Sequence, residues 1–155
     1  MKIMILYYSK TGHTLEAANA VAEGIRAVGS EVDLVDVKNF DPAALAEVDG
    51  LIVGSPCWAG SITGAGIARP LIHPLKTLPA DCLKEKRGGG ISVHSATGGA
   101  NTVNALGKFL SQKGCAAFRP GPAAKAGLPF SPWKGPSVTA QDKERFKAYG
   151  AGFVT

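Results

Sequence analysis

Tyr7-Tyr8-Ser9-Lys10-Thr11-Gly12-His13-Thr14 is the stretch that decides how this chain folds. Before it runs Lys2-Ile3-Met4-Ile5-Leu6-Tyr7, an apolar strand. After it, Leu15, Ala18, Ala22 and Ile25 recur at helical spacing until Gly29. A strand, a short loop of hydroxyls with one glycine, and then a helix is the layout of an anion cradle. Loop amides and the positive end of the helix converge on one spot, where Ser9, Thr11 and Thr14 can add hydroxyl donors. Lys10 and His13 would help screen the charge of a bound phosphate.

The spacing decides which phosphate. There is no Gly-x-x-x-x-Gly-Lys-Ser/Thr and no Gly-x-Gly-x-x-Gly, so neither a mononucleotide P-loop nor a dinucleotide turn is present. Ser9-Lys10-Thr11-Gly12-His13-Thr14 instead resembles the Ser/Thr-x-Thr-Gly-x-Thr loop with which the flavodoxin family holds the phosphate of FMN. The resemblance implies a flavodoxin-like α/β/α sandwich around a five-stranded parallel sheet of order 2-1-3-4-5. It also implies FMN as cofactor.

The rest of the chain agrees with one such domain over residues 1–155. Glu31–Val37 alternates polar and apolar, as a strand with one wet face near a sheet edge does. Asp41-Pro42 caps and opens a short helix through Leu45. Gly50–Gly54 is a short apolar strand buried on both faces. In 61–80, Pro70 and Pro74 both fall where a helix belongs, which predicts a late start or a kink. Gly90–His94 is a fourth strand, and Asn101–Lys113 is a helix with Val103, Leu106 and Leu110 inward and Gly114 as its stop. Ala116–Arg119 is a weak fifth strand. Residues 120–137, with five prolines, read as a long substrate-facing loop. Thr139 and Asp142 form a capping box for a last helix, where Phe146, Tyr149 and Phe153 share a face.

Alternating strands and helices predict a parallel sheet covered on both sides. In the 2-1-3-4-5 order the ligand sits where the carboxyl ends of strands 1 and 3 diverge. Two further loops lie at that edge. Gly54-Ser55-Pro56-Cys57-Trp58-Ala59-Gly60-Ser61-Ile62 resembles the Gly-Ser-Pro-x-aromatic-x-Gly-Ser loop of flavodoxin-like NAD(P)H-dependent reductases. Pro56, Cys57, Trp58, Ala59 and Gly60 are its candidate flavin contacts, with Trp58 offering a face for stacking. Many flavodoxins place glycine directly after this aromatic, where a peptide flips to stabilise the one-electron-reduced flavin. Ala59 enters positive φ at a penalty that glycine does not carry.

Ser95, Ala96, Thr97, Gly98 and Gly99 would close the site over the pyrimidine end of the ring. This loop lacks the second aromatic of many flavodoxins and more closely resembles the quinone-oxidoreductase branch, whose flavin face is open. His94 reads equally as a flavin contact and as a structural histidine. Cys57 reads as a small packing residue, since no lysine or arginine in its loop would activate the thiol. Phe130 and Trp133 either pack on the body or cover the site.

Composition bounds the partners. No apolar run approaches the roughly 20 residues of a membrane helix. Met1-Lys2 leads straight into a strand with no small-residue cleavage site. Cysteines 57, 82 and 115 show no metal spacing and suit a reducing compartment, so the expectation is a cytoplasmic protein. Residues 1–75 carry five Lys/Arg against eight Asp/Glu, net −3; residues 76–155 carry twelve against four, net +8. The basic residues are scattered and accompany no nucleic-acid motif, so nucleic acid is not an expected partner.

The leading expectation is an electron carrier that works through FMN with a redox partner protein. The alternative is an NAD(P)H-dependent FMN or quinone oxidoreductase, toward which Ala59 and the aromatic-free 95–101 loop lean. A flavin-free interaction domain is the third reading. A phosphoacceptor receiver domain of the same sheet order is excluded, because Tyr8-Ser9 and Ser55-Pro56 stand where it needs carboxylates. No side-chain acid, base or nucleophile is expected, and no metal. Monomer and homo-oligomer are both compatible with the sequence.

Overall fold

The computed structural model describes residues 1–58, 66–127 and 135–155. Five parallel strands form one sheet: β1 (Lys2–Tyr7), β2 (Glu31–Asp36), β3 (Gly50–Pro56), β4 (Arg87–His94) and β5 (Ala117–Lys125), in the order β2-β1-β3-β4-β5. Among the described residues the connections carry helices α1 (His13–Ala27), α2 (Arg69–Thr77), α3 (Gly99–Gln112) and α4 (Ala140–Val154). Two short 3₁₀ turns, Val37–Asn39 and Pro42–Glu47, follow β2, each opened by an aspartate whose carboxylate accepts a backbone N–H two residues on. The expected order is the observed one.

The period-2 geometry of β1 divides its side chains between two cores. Ile3 and Ile5 join Ala18, Val21 and Ile25 of α1 and Phe146 and Phe153 of α4 on one face. Met4 and Leu6 join Leu71 and Leu75 of α2 and Leu106 and Leu110 of α3 on the other. All four β1 residues are buried, as expected of a strand covered on both sides. In β4, glycines make room for neighbours: a Cβ at Gly89 would lie 2.4 Å from Tyr149 Oη and 2.8 Å from Phe153 Cε2. The aromatic stripe of α4 fills the space that β4 leaves, and burial pushes the Tyr149 phenol up.

Several local expectations change. The fifth strand does not end at Arg119 but runs through Pro120 and Pro122 to Lys125. A register shift pairs Gly90 with Pro120 and Ser92 with Ala123, so one extra residue bulges out of β5 where a proline cannot donate. β5 also pairs on one side only, which frees the other from needing donors. β4 starts at Arg87, three residues earlier than its apolar run suggested, because triple glycine hides a strand from pattern reading. Leu15 is half-buried, whereas Ala18, Ala22 and Ile25 are fully buried. The late start after 61 holds: α2 opens at Arg69 with Pro70 in its first turn, and Pro74 stays within the helix. Thr139 caps α4 as expected, its Oγ1 accepting the Asp142 N–H at 3.1 Å.

Candidate functional site

Three loops meet at the carboxyl ends of β1, β3 and β4. In the first, the chain leaves β1 and turns into α1 through Gly12, at φ 93°. That left-handed conformation strains any residue with a Cβ, and glycine adopts it freely. Ser9 Oγ accepts the N–H groups of Gly12 (3.1 Å) and Leu15 (3.3 Å), wrapping the loop around its own hydroxyl. With two amides donating to the oxygen, the hydroxyl proton is left to donate outward. Gly12, at the N-cap, has no side chain to offer, and Ser9 serves the first turn of α1 in its place. Lys10 is exposed and Thr11 half-buried, while His13 and Thr14 are buried under the loop.

The second loop starts at Pro56. Ser55, fully buried, accepts the Ala68 N–H at 2.9 Å and donates to the Pro56 carbonyl at 2.8 Å, which ties the two ends of the connection together. Trp58 is half-buried; its backbone N–H donates to the Gly66 carbonyl at 2.8 Å. Tyr8 meets it edge to face, ring centres 5.5 Å apart at 86°. This geometry suits the ring quadrupoles and fixes the indole plane beside the phosphate cradle. Ala59, Gly60, Ser61 and Ile62, like Phe130 and Trp133, lie outside the described residues.

The third loop is joined to the second by Cys57. Its backbone N–H donates to the Val93 carbonyl at 2.9 Å and its thiol to the Thr97 carbonyl at 3.5 Å. A Cβ at Gly98 would lie 2.9 Å from Cys57 Sγ, and one at Gly66 would lie 3.1 Å from it. Cys57 is thus a strut between glycines, in keeping with the packing role expected of it. Gly98 sits at φ 96° and opens α3 without a side-chain cap, repeating what Gly12 does for α1. Two glycine-started helices therefore lie at the same sheet edge, each bringing the positive end of its dipole.

His94 closes β4 beside this loop. Its Nδ1 is shielded from solvent with no hydrogen-bond partner among the described residues, and a Cβ at Gly99 would lie 2.4 Å from it. Burial and the nearby Lys125 ammonium push the imidazole pKa down, opposed in part by Asp142. The ring is therefore neutral at neutral pH, and of the two sequence readings its tight packing on Gly99 favours the structural one.

The structure thus brings Ser9–Thr14, Pro56–Trp58 and Ser95–Gly99 to one edge. Sequence reasoning missed Tyr8, Gly66 and Glu16. Tyr8 has no pattern of its own, and Gly66 is one of twenty glycines. Glu16 carried a readable signal, since it stands three residues after His13 on the same helix face.

An open parallel α/β sheet with a glycine-started helix and an aromatic pair at its switch point has the layout of the doubly wound nucleotide-binding folds. The sequence profile of the flavodoxin family matches residues 5–118. The chain belongs to that family, whose members bind FMN. It is 37% identical to an NAD(P)H dehydrogenase (quinone) of Chromohalobacter salexigens, over 39% of this chain and 41% of the relative. It is 39% identical to a flavodoxin of Clostridium saccharobutylicum, over 41% of this chain and 40% of that one. These matches span about two-fifths of each relative's length. The fold superposes on oxidised flavodoxin 1 of Bacillus cereus with a TM-score of 0.79 and 21% identity, covering 99% of this chain and 97% of the other.

The residues present fit an FMN phosphate. The donor set is hydroxyls and backbone amides around a left-handed glycine. Among the described residues, a Cβ at Gly12 would meet nothing within 4 Å, so the space before the helix start is open.

Proposed function

We propose that this chain holds FMN at the three-loop edge and passes electrons through it to a partner protein. The observation that carries the proposal is the convergence of the Ser9-organised start of α1 with the Tyr8–Trp58 wall. Ser9, Lys10, Thr11, Gly12, His13 and Thr14 would hold the phosphate. Pro56, Cys57 and Trp58, continuing into Ala59 and Gly60, would flank the ring. Ser95, Ala96, Thr97, Gly98 and Gly99 would offer backbone amides to its polar end. FMN when bound supplies one- and two-electron chemistry; the protein supplies position, field and exclusion of wrong acceptors. Trp58 gives an electron-rich face worth about 0.5–1.5 kcal/mol beyond area burial, which favours the oxidised ring over the reduced one.

A second reading is NAD(P)H-dependent flavin or quinone reduction. It is favoured by the relatives named NAD(P)H dehydrogenase (quinone) and by the exposed, aromatic-free Ala96–Thr97 turn, which would leave one ring face open. No described helix is long and apolar enough to cross a membrane. Cys57, Cys82 and Cys115 are free thiols, and burial pushes Cys82 and Cys115 up and away from reactivity, in keeping with a reducing cytoplasm.

The two redox readings separate in an anaerobic titration of the FMN-loaded protein followed by visible absorbance. A carrier accumulates a one-electron species under dithionite and is not bleached by NADPH. Direct bleaching by NADPH, with no such species, makes the chain a reductase and calls for a quinone screen.

A further inference from the structure

Glu16 belongs to no loop of the site, yet its carboxylate touches three parts of the molecule. Oε1 lies 3.5 Å from Nδ1 of His13, the first residue of α1 and a member of the phosphate loop. Oε2 accepts the Val138 N–H at 3.2 Å, at the end of the connection between β5 and α4. The same oxygen lies 3.8 Å from Lys143 Nζ on α4. The carboxylate is 21% exposed and the His13 side chain 6%, so the pair sits within the body rather than on a solvated face.

A carboxylate in the first turn of a helix normally complements the dipole. Here it competes with a bound phosphate for the same positive field, so a merely favourable cap would weaken anion binding. Two features reverse that balance. The Val138 N–H holds Oε2, while Oε1 faces the imidazole, where it can accept only from Nδ1–H or from the imidazolium.

We propose that Glu16 is a positioning residue for the FMN phosphate, acting through His13. It fixes the tilt of the imidazole in the cradle, and it anchors α1 to the start of α4 while doing so. The proposal rests on reading residues 9–14 as the phosphate loop.

The test compares FMN with riboflavin, which lacks the phosphate, in fluorescence titrations of the apoprotein. Glu16→Gln keeps an oxygen for the Val138 N–H and removes the charge. It is expected to weaken FMN about tenfold. Riboflavin should bind within about twofold of wild type. In a His13→Gln background the Glu16→Gln change should add less than about twofold, because the two act as one unit. Lys143→Gln should leave both ligands within about twofold. Equal weakening of FMN and riboflavin would make Glu16 a fold residue and overturn the proposal, as would unchanged or tighter FMN binding in Glu16→Gln. A full effect of Glu16→Gln in the His13→Gln background would overturn the route through His13. Failure of wild type to bind FMN at all would remove the phosphate-loop reading itself and the proposal with it.

Discussion

Gly150→Ala is expected to lower the thermal midpoint by about 4–8 °C. The reason is the crossing of α1 and α4. A Cβ at Gly150 would lie 2.1 Å from the Val21 carbonyl oxygen and 2.9 Å from its carbon. One at Gly24, on the facing helix, would lie 1.9 Å from the Lys147 carbonyl oxygen. These are backbone atoms, which cannot swing aside as a side-chain end does, so the helices must separate. Separation loosens Phe146 and Phe153, both fully buried between α4 and the sheet. Overpacking of this kind is destabilising by about 3 kcal/mol, well above the ~1 kcal/mol that alanine gains over glycine in a helix. Gly152→Ala is the control: it lies two residues on in the same helix, and a Cβ there meets nothing within 4 Å among the described residues. It should raise the midpoint by a few degrees. Calorimetry of both variants checks the argument, and similar shifts in the two would refute it.

Ser9→Ala is expected to weaken FMN binding by about 10–100-fold, with a smaller effect on riboflavin. Two contributions add. The hydroxyl proton, directed outward by the two amides on its oxygen, is lost as a donor to a charged acceptor, worth about 1.5–3 kcal/mol. The N–H groups of Gly12 and Leu15 also lose their common acceptor, so the loop gives up its pre-set shape and must be ordered on binding. Ser9→Thr keeps the hydroxyl and should bind within a few-fold of wild type. Equal losses for Ser9→Ala and Ser9→Thr would point to crowding rather than to the hydroxyl.

The strand–loop–helix turn through residues 8–14 was legible because its signals are local: an apolar strand before, one glycine, and a helical period after. The same holds for the capped start of α4 and for β1, whose continuous apolar run is what burial on two faces demands. β5 was misread for the opposite reason. Pro120 and Pro122 argue against a strand locally, and only the edge position and the bulge against Gly90–Ser92 admit them. The early start of β4 was hidden likewise, since Gly88, Gly89 and Gly90 carry no hydrophobic signal and exist to admit side chains from elsewhere. In the site, Tyr8 and Gly66 owe their places to partners distant in sequence. A pattern along the chain does not reveal a ring that stacks on residue 58 or a glycine that makes room for a thiol.

The central claim is that residues 9–14 bind the phosphate of FMN at the β1–β3 switch point. The most direct measurement is a fluorescence titration of FMN with the wild-type apoprotein, repeated with riboflavin and with inorganic phosphate as competitor. The account predicts one FMN per chain with quenched fluorescence, riboflavin binding at least about tenfold weaker, and phosphate displacing the difference. FMN and riboflavin binding equally well, or no binding of either, would contradict it.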